Sequence, residues 1–130
     1  MLIEVYDIEC LSNLFTYTGF DATSKQWYQF VISAWRNDSK ALYQHLFRDK
    51  LYQVGFNSES YDYPVLHHFI NHYKTYEYMD GQDLAERLYQ KSQQIIEQEF
   101  SAIADKNKYI PQIDLFRIWH YNNKARATSC

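Results

Sequence analysis

Apolar residues recur along this chain in two patterns, one typical of strands and the other of helices. Runs of apolar, β-branched and aromatic residues predict strands over Leu2–Tyr6, Asn13–Tyr17 and Gln26–Ile32. Gly19-Phe20-Asp21 is predicted to form the turn between the second and the third strand. Because the connections are short, these three strands are expected to form an antiparallel meander.

The remainder of the chain alternates helix-like and strand-like segments. Asn37-Asp38-Ser39 offers N-cap chemistry, and Asp80-Gly81 breaks the chain between two helical patterns. The predicted elements are a helix over about 40–47, a strand over Leu51–Phe56, a helix from Pro64 to about Tyr73, a long amphipathic helix over about 83–104 and a strand over Pro111–Phe116. This order predicts an α/β fold with an RNase H-like mixed sheet: three antiparallel strands, then parallel strands, with flanking helices and one long inserted helix.

Length and composition indicate one folded domain over residues 1–130. Hydrophobic residues make up 46% of the chain and charged residues 22%, which argues against disorder. The net charge of −3 argues against broad wrapping of nucleic acid, although the metal ions of a nuclease would supply local positive charge. Cys10 and Cys130 form no disulfide framework, and no apolar run approaches the roughly 18 residues of a membrane span. We therefore expect a cytoplasmic protein without membrane association.

Two carboxylates follow the first predicted strand, in Asp7-Ile8-Glu9. Side chains at positions i and i+2 of a strand point to the same face, so Asp7 and Glu9 are expected to lie close together. Two like charges at that distance are unfavourable unless a cation lies between them, and hard oxygen ligands suit Mg²⁺ or Mn²⁺. A pair of acids that simply faces solvent is the alternative.

A second acidic segment follows the fourth predicted strand, in Asn57-Ser58-Glu59-Ser60-Tyr61-Asp62. In the predicted topology the ends of the first and fourth strands are adjacent, so this segment would face Asp7 and Glu9. Asp62 precedes a predicted helix, where it could act only as a capping residue. Three carboxylates converging from separate elements would instead suit a two-metal phosphodiester site.

These two segments resemble the first two motifs of the DEDD-family 3′–5′ exonucleases, the second of which reads N-x₃-(F/Y)-D. Gly55-Phe56 before the second motif, Tyr63-Pro64-Val65-Leu66 after it, and Ile113-Asp114-Leu115 and residues 124–129 later are similar to phage exonuclease-like proteins in particular. The resemblance covers most of the chain. It implies hydrolysis of single-stranded DNA or RNA from 3′ ends with two Mg²⁺ or Mn²⁺ ions, in the cytoplasm of the host cell if a phage encodes the protein.

The resemblance also implies roles for individual residues. Asp7, Glu9 and Asp62 would be the metal ligands and catalytic carboxylates, while Asn57 and Tyr61 would contact the single strand. A turn asparagine and a core tyrosine are the alternatives for Asn57 and Tyr61.

The third motif of the family, Y-x₃-D or H-x₄-D on a helix after the fifth strand, has no counterpart before Cys130. The chain therefore resembles an exonuclease domain that is incomplete at its C-terminus, and we expect its activity to be weakened or lost unless a further segment or a protein partner completes the site. Two alternatives stay open. The chain could be a non-catalytic module that binds nucleic acid or protein, or the exonuclease part of a larger DNA polymerase.

Two further patterns are set aside as sites. Tyr76 and Asp80 form a Y-x₃-D string, but they precede the fifth strand. His68 and His72 share a helix face at i, i+4, yet no third ligand stands at the spacing of a known zinc site.

Overall fold

The computed structural model describes residues 1–98 and 102–116, which form a sheet and helices packed against it. The strands are β1 (Leu2–Leu11), β2 (Leu14–Asp21), β3 (Gln26–Ser33), β4 (Leu51–Gly55) and β5 (Gln112–Asp114). The helices are α1 (Ser39–Leu46), α2 (Tyr63–Asn71), α3 (Tyr73–Tyr76) and α4 (Gly81–Glu97), with a π-helical turn over Ser58–Asp62 and a 3₁₀ turn over Asp105–Asn107.

The five strands form one mixed sheet in the order β3-β2-β1-β4-β5. β1, β2 and β3 pair antiparallel, whereas β1 pairs with β4 and β4 with β5 in parallel. The predictions of an α/β fold, an antiparallel meander and a fourth strand beside the first are therefore confirmed.

The different lengths of β1 and β4 create an open position at one end of the sheet. Only Leu2–Val5 of β1 pairs with β4, through Leu51–Val54, while β1 continues to Leu11 along β2. From Tyr6 onward, no strand within residues 1–98 and 102–116 pairs with the edge of β1 that faces β4 at its start. The π-helical turn that follows β4 contacts β1 in this region.

Side chains of β1 alternate between the core and the opposite face of the sheet. Glu4, Tyr6 and Ile8 are buried, whereas Val5 and Asp7 are exposed. The core consists of apolar side chains from this buried face and from α1, α2 and α4, among them Phe15, Tyr17, Leu42, Leu66, Phe69, Leu84 and Leu88. The period of two predicted for the first strand is confirmed.

Gly19-Phe20-Asp21 was wrongly predicted as a turn, because these residues continue β2. The turn covers residues 22–25, where the N–H of Lys25 donates to the carbonyl of Asp21 over 2.7 Å. Gly19 is required for close packing instead, since an added Cβ would lie 2.6 Å from Cδ of Glu4.

Several predicted boundaries also differ from the structure. The helix expected to reach Tyr73 ends at Asn71 and is followed by the separate α3, and the long helix ends at Glu97 rather than near residue 104. Residues 102–104 are not helical, and residues 99–101 and the basic residues 124–126 lie outside the described ranges. The fifth strand is confined to Gln112–Asp114.

Asp38 precedes α1 as predicted, but its side chain does not cap that helix. Its carboxylate accepts hydrogen bonds from the backbone N–H of Val31 (2.9 Å) and from Nε of Arg36 (2.7 Å). The residue therefore joins the start of α1 to the edge strand β3.

Gly81 is expected to be indispensable for packing α4 against the sheet. A Cβ at this position would lie 1.9 Å from the carbonyl oxygen of Ser33, a backbone atom that cannot rotate away. We expect Gly81→Ala to lower the free energy of unfolding by about 2–3 kcal/mol, in the range of overpacked sites. Urea denaturation of Gly81→Ala and of the exposed control Gln82→Ala would measure the difference, and equal midpoints would contradict the prediction.

Candidate functional site

Asp7 and Asp62 meet where β1 extends beyond β4. Asp62 ends the π-helical turn and is only 6% exposed, yet its side chain makes no capping bond to α2. Its carboxyl group instead lies close enough to Asp7 and to the backbone N–H of Ile8 for both to shift its pKa. The interpretation of Asp62 as only a helix cap is therefore wrong.

The environment of Asp62 disfavours its charged form. Burial, followed by the negative charge of Asp7, raises the pKa of Asp62 to about 7, and the nearby charge of Asp114 acts in the same direction. The N–H of Ile8 lowers this pKa, but by less than the other effects raise it. Near neutral pH the Asp62 carboxyl group is therefore protonated for part of the time, and a cation bound beside Asp7 and Asp62 would favour its charged form.

Glu9 lies on the same exposed face of β1 as Asp7, opposite Thr16 of β2. The structure thus brings Asp7 and Asp62 together, as predicted, while Glu9 lies two residues further along the strand. In residues 1–98 and 102–116, no three His, Cys, Asp or Glu side chains form a group that could hold a metal ion. The metal-binding role of Glu9 stays a prediction.

Asn57 and Tyr61, the predicted nucleic-acid contacts, occupy different environments. Asn57 is exposed and adopts a left-handed backbone conformation with φ of 60° immediately after β4. Tyr61 is partly buried against the core, and its hydroxyl hydrogen-bonds to Cys10 and Ser92. Burial raises the pKa of Tyr61 to about 12. Asn57 is thus placed as a turn residue that still faces solvent, and Tyr61 as a residue packed at the margin of the core.

Cys10 follows Glu9 on β1 and points to the opposite face of the strand. Its side chain packs against the core, and burial raises the pKa of its thiol to about 11. The thiol is therefore neutral at physiological pH and contributes as a small apolar group.

Asp114 has a role near the site that the sequence did not indicate. It is 7% exposed at the end of β5, and its carboxylate accepts three backbone N–H groups. The donors are Asn57 (2.7 Å), Glu59 (3.1 Å) and Phe116 (3.0 Å). The sequence placed Asp114 on a strand that faces the site, but long-range bonds to backbone groups have no sequence signature.

Residues just before β5 also hold the second motif. Nζ of Lys108 lies 2.7 Å from Oε1 of Glu59, and this ammonium group is almost fully buried. The N–H of Tyr109 donates to the hydroxyl of Tyr63 over 2.7 Å. Lys108 and Asp114, at the two ends of the segment from 108 to 114, therefore both contact the second motif.

A buried ionic group centred on Glu4 lies under β1. Glu4 is fully buried, and its carboxylate contacts Nε2 of His45 (2.8 Å), Nη2 of Arg48 (2.7 Å) and the hydroxyl of Tyr17. Burial alone would raise the pKa of Glu4, but the hydrogen bonds from His45 and Tyr17 and the charge of Arg48 leave it lowered. The sequence showed Glu4 only as a polar residue within an apolar strand.

Hydrogen bonds continue from this group toward the candidate site. Nε2 of Gln53 donates to the Tyr17 hydroxyl (2.8 Å), and Nε2 of Gln112 donates to Oε1 of Gln53 (2.7 Å). The hydroxyl of Tyr6 then donates to Oε1 of Gln112 (2.7 Å). Burial raises the pKa of Tyr6 far above its usual range, and the charge of Asp62 adds to this effect. The chain of hydrogen bonds therefore extends from Glu4 to Tyr6, whose pKa is affected by the charge of Asp62.

The patterns that were set aside have structural roles. Asp80 caps α4 by accepting the N–H of Asp83 over 2.8 Å, and the Tyr76 hydroxyl lies 2.6 Å from Nε2 of His68. Nδ1 of His72 donates to the carbonyl of His68 over 2.9 Å. Burial lowers the pKa of His68 to about 4, so this ring is neutral at physiological pH.

A comparison with protein-family models finds no match for the chain, and comparisons with curated proteins and with solved structures find none either. Within the described residues, no helix combines the length and the apolar character needed to cross a membrane.

Proposed function

We propose that this chain is the core of a metal-dependent 3′–5′ exonuclease of the DEDD type with an RNase H-like fold. The observation that carries the proposal is the position of Asp62, whose buried carboxyl group turns away from α2 and against Asp7. The strand order supports the same proposal, because β4, which leads into the second motif, lies beside β1, which carries the first. The two motifs that resemble the exonucleases therefore meet in space.

The carboxylate pair fits a hard divalent cation. Mg²⁺ is usually held by one or two carboxylates, with water and substrate phosphate completing its coordination. Asp7 and Asp62 supply two such groups, and a cation would neutralise the repulsion that raises the pKa of Asp62. Glu9, on the same face of β1, is the third ligand of the proposal.

Each proposed site residue has a defined part in the reaction. Asp7, Glu9 and Asp62 would hold Mg²⁺ or Mn²⁺, and a bound ion would activate the attacking water and stabilise the leaving oxygen. The exposed Asn57 would contact the single-stranded 3′ end. Tyr61 would contribute through the edge of its ring that stays accessible, since its hydroxyl is engaged by Cys10 and Ser92.

Metal binding should be tested first, because it does not require catalysis. We expect Mn²⁺ to raise the melting temperature of the protein, since a ligand that binds only the folded state stabilises it. Asp7→Asn and Asp62→Asn should each abolish this rise. Asp49→Asn, an exposed aspartate in the turn before β4, is the control and should respond like the unmodified protein.

Hydrolysis is then measured with a 5′-labelled single-stranded DNA and its RNA counterpart in Mn²⁺. Shortening from the 3′ end that is lost in Asp7→Asn supports the proposal. A rise in melting temperature without hydrolysis would support a binding module that keeps the metal site. Hydrolysis that survives Asp7→Asn, or the absence of any response to Mn²⁺, would overturn the assignment of the site.

A further inference from the structure

We propose that Asp114 is the positioning residue of the carboxylate site, because it fixes the segment that carries Asp62 and so keeps Asp62 against Asp7. This inference deepens the proposed function and rests on it for the identity of the site. The contact that it predicts between Asp62 and β1 can nevertheless be measured without metal or substrate.

The register of the sheet places Asp114 where it can do this. β5 pairs in parallel with β4, and Asp114 is opposite Gly55, the last residue of β4. The chain leaves β4 at this point and turns toward Asp62. A buried carboxylate at the end of β5 therefore lies beside the first backbone groups of the turn.

The turn itself contains little regular structure that could hold Asp62 in place. It begins at Asn57, which has a left-handed conformation and whose side chain makes no capping bond, and it continues as a π-helical turn over Ser58–Asp62. The first N–H groups of such a turn have no partner within it. Asp114 accepts two of them, from Asn57 at 2.7 Å and from Glu59 at 3.1 Å.

Both oxygens of Asp114 take part, and this restricts the rotation of the turn. Oδ1 accepts the N–H groups of Asn57 and Phe116, while Oδ2 accepts that of Glu59. Hydrogen bonds to a charged acceptor are stronger than those to a neutral one. A carboxylate that accepts N–H groups at both of its oxygens can fix the turn in one orientation. The C-terminal residue of that turn is Asp62.

The backbone N–H of Ile8 reports whether Asp62 is in position, because Ile8 lies on β1 beyond the residues paired with β4 and its N–H is near enough to Asp62 to lower the pKa of that carboxyl group. Amide hydrogen exchange of Ile8 should be measured by NMR in metal-free protein for Asp114→Asn and Asp114→Ala. The asparagine keeps one oxygen acceptor but lacks the charge and the second oxygen, whereas the alanine lacks every acceptor. Asp49→Asn, which removes an exposed carboxylate in the turn before β4, is the control.

We expect the exchange rate of Ile8 to increase in the order unmodified protein, Asp114→Asn, Asp114→Ala. The alanine variant should exchange roughly 10- to 100-fold faster, as expected for loss of a hydrogen bond to a charged group. Amides in the β2–β3 pairing should keep their rates, as should Ile8 in Asp49→Asn. If Asp114→Ala does not fold, Asp114→Asn alone should show faster exchange at both Glu59 and Ile8.

An Ile8 rate that is unchanged in a folded Asp114 variant would overturn the positioning role. A uniform increase at all amides would also overturn it, because it would show only a loss of global stability. Mn²⁺ affinity, measured on the same variants, separates this inference from the proposed function. If Ile8 exchanges faster in the variants but the protein does not bind Mn²⁺, the positioning role of Asp114 is supported and the metal site is rejected. If the variants show faster exchange together with reduced Mn²⁺ affinity, the positioning role and the metal site are both supported.

Discussion

Replacing Asp62 with asparagine is expected to stabilise the protein progressively, relative to the unmodified chain, as the pH rises from 4 to 8. Asparagine has the size of the protonated aspartate and carries no charge at this buried position beside Asp7. The pKa of Asp62 is raised from 3.8 to about 7 in the folded protein. A difference of about three pKa units corresponds to roughly 4 kcal/mol of stability between the two ends of this range.

The direction of this effect follows from the protons bound in each state. Between pH 4 and pH 7 the folded protein retains a proton on Asp62 that the unfolded chain has already released. The contribution of Asp62 to stability is therefore fully present below pH 4 and is lost as the pH rises through 7. Asp62→Asn has no titratable group at this position, so its stability does not fall for this reason as the pH rises.

Other groups titrate in the same window, so the difference between the two proteins is the quantity to measure. The pKa of His68 is lowered to about 4 by burial, and His68 therefore makes the protein more stable as the pH rises from 4 to 6.5. This contribution is present in both proteins and cancels in the difference. Urea denaturation of the unmodified protein and of Asp62→Asn at several pH values, in the absence of divalent metal, would give the difference in their free energies of unfolding. Parallel curves would contradict the proposed proximity of Asp7 and Asp62.

Replacing Glu4 with glutamine is expected to cause a large loss of stability that is unrelated to the candidate site chemistry. The carboxylate of Glu4 is fully buried and contacts His45, Arg48 and Tyr17. Glutamine has nearly the same shape but removes the closer of two buried carboxylates beside Arg48, leaving Asp21, whose Oδ2 lies 3.5 Å from Nη1 of Arg48. Removal of one partner from a buried ionic group is strongly destabilising, and we expect a loss of about 3 kcal/mol in the free energy of unfolding.

Glu9→Gln provides the matched control for this variant. Glu9 is on the same strand, but its side chain lies on the exposed face. In metal-free buffer its replacement should change the free energy of unfolding by less than about 0.5 kcal/mol. Equal losses in the two variants, measured by urea denaturation, would show that the ionic group under β1 does not contribute as proposed.

Much of the fold could be predicted because it depends on local patterns. The alternation of side chains along a strand placed Asp7 and Glu9 on one face of β1, and the short connections gave the antiparallel pairing of β1, β2 and β3. The errors occurred where distant contacts matter. The first strand was expected to be buried, yet the apolar Val5 is exposed while the polar Glu4 is buried by its partners. Gly19 looked like a turn residue, but it lies within β2, where a Cβ would collide with the side chain of Glu4.

The candidate site could likewise be predicted only where local sequence patterns define it. The spacing of Asp7 and Glu9 and the motif that ends in Asp62 were visible in the sequence, and so was the expectation that β1 and β4 are neighbours. The roles of Asp114 and Lys108 were not visible. Their partners lie about 50 residues earlier in the chain, and the hydrogen bonds of Asp114 are made to backbone N–H groups that carry no side-chain signal.

The sequence by itself determined the order of the strands along the chain, the face on which Asp7 lies and the identity of the acidic residues, because side-chain periodicity and residue type are local properties. The tertiary structure alone decided that the Asp62 carboxylate turns from its own helix to the N–H of Ile8 and to Asp7. That choice depends on β1 continuing beyond β4, on the burial of Asp62 and on the support that β5 gives to the turn. These are properties of the packed molecule, since burial and electrostatic repulsion arise only when distant segments come together.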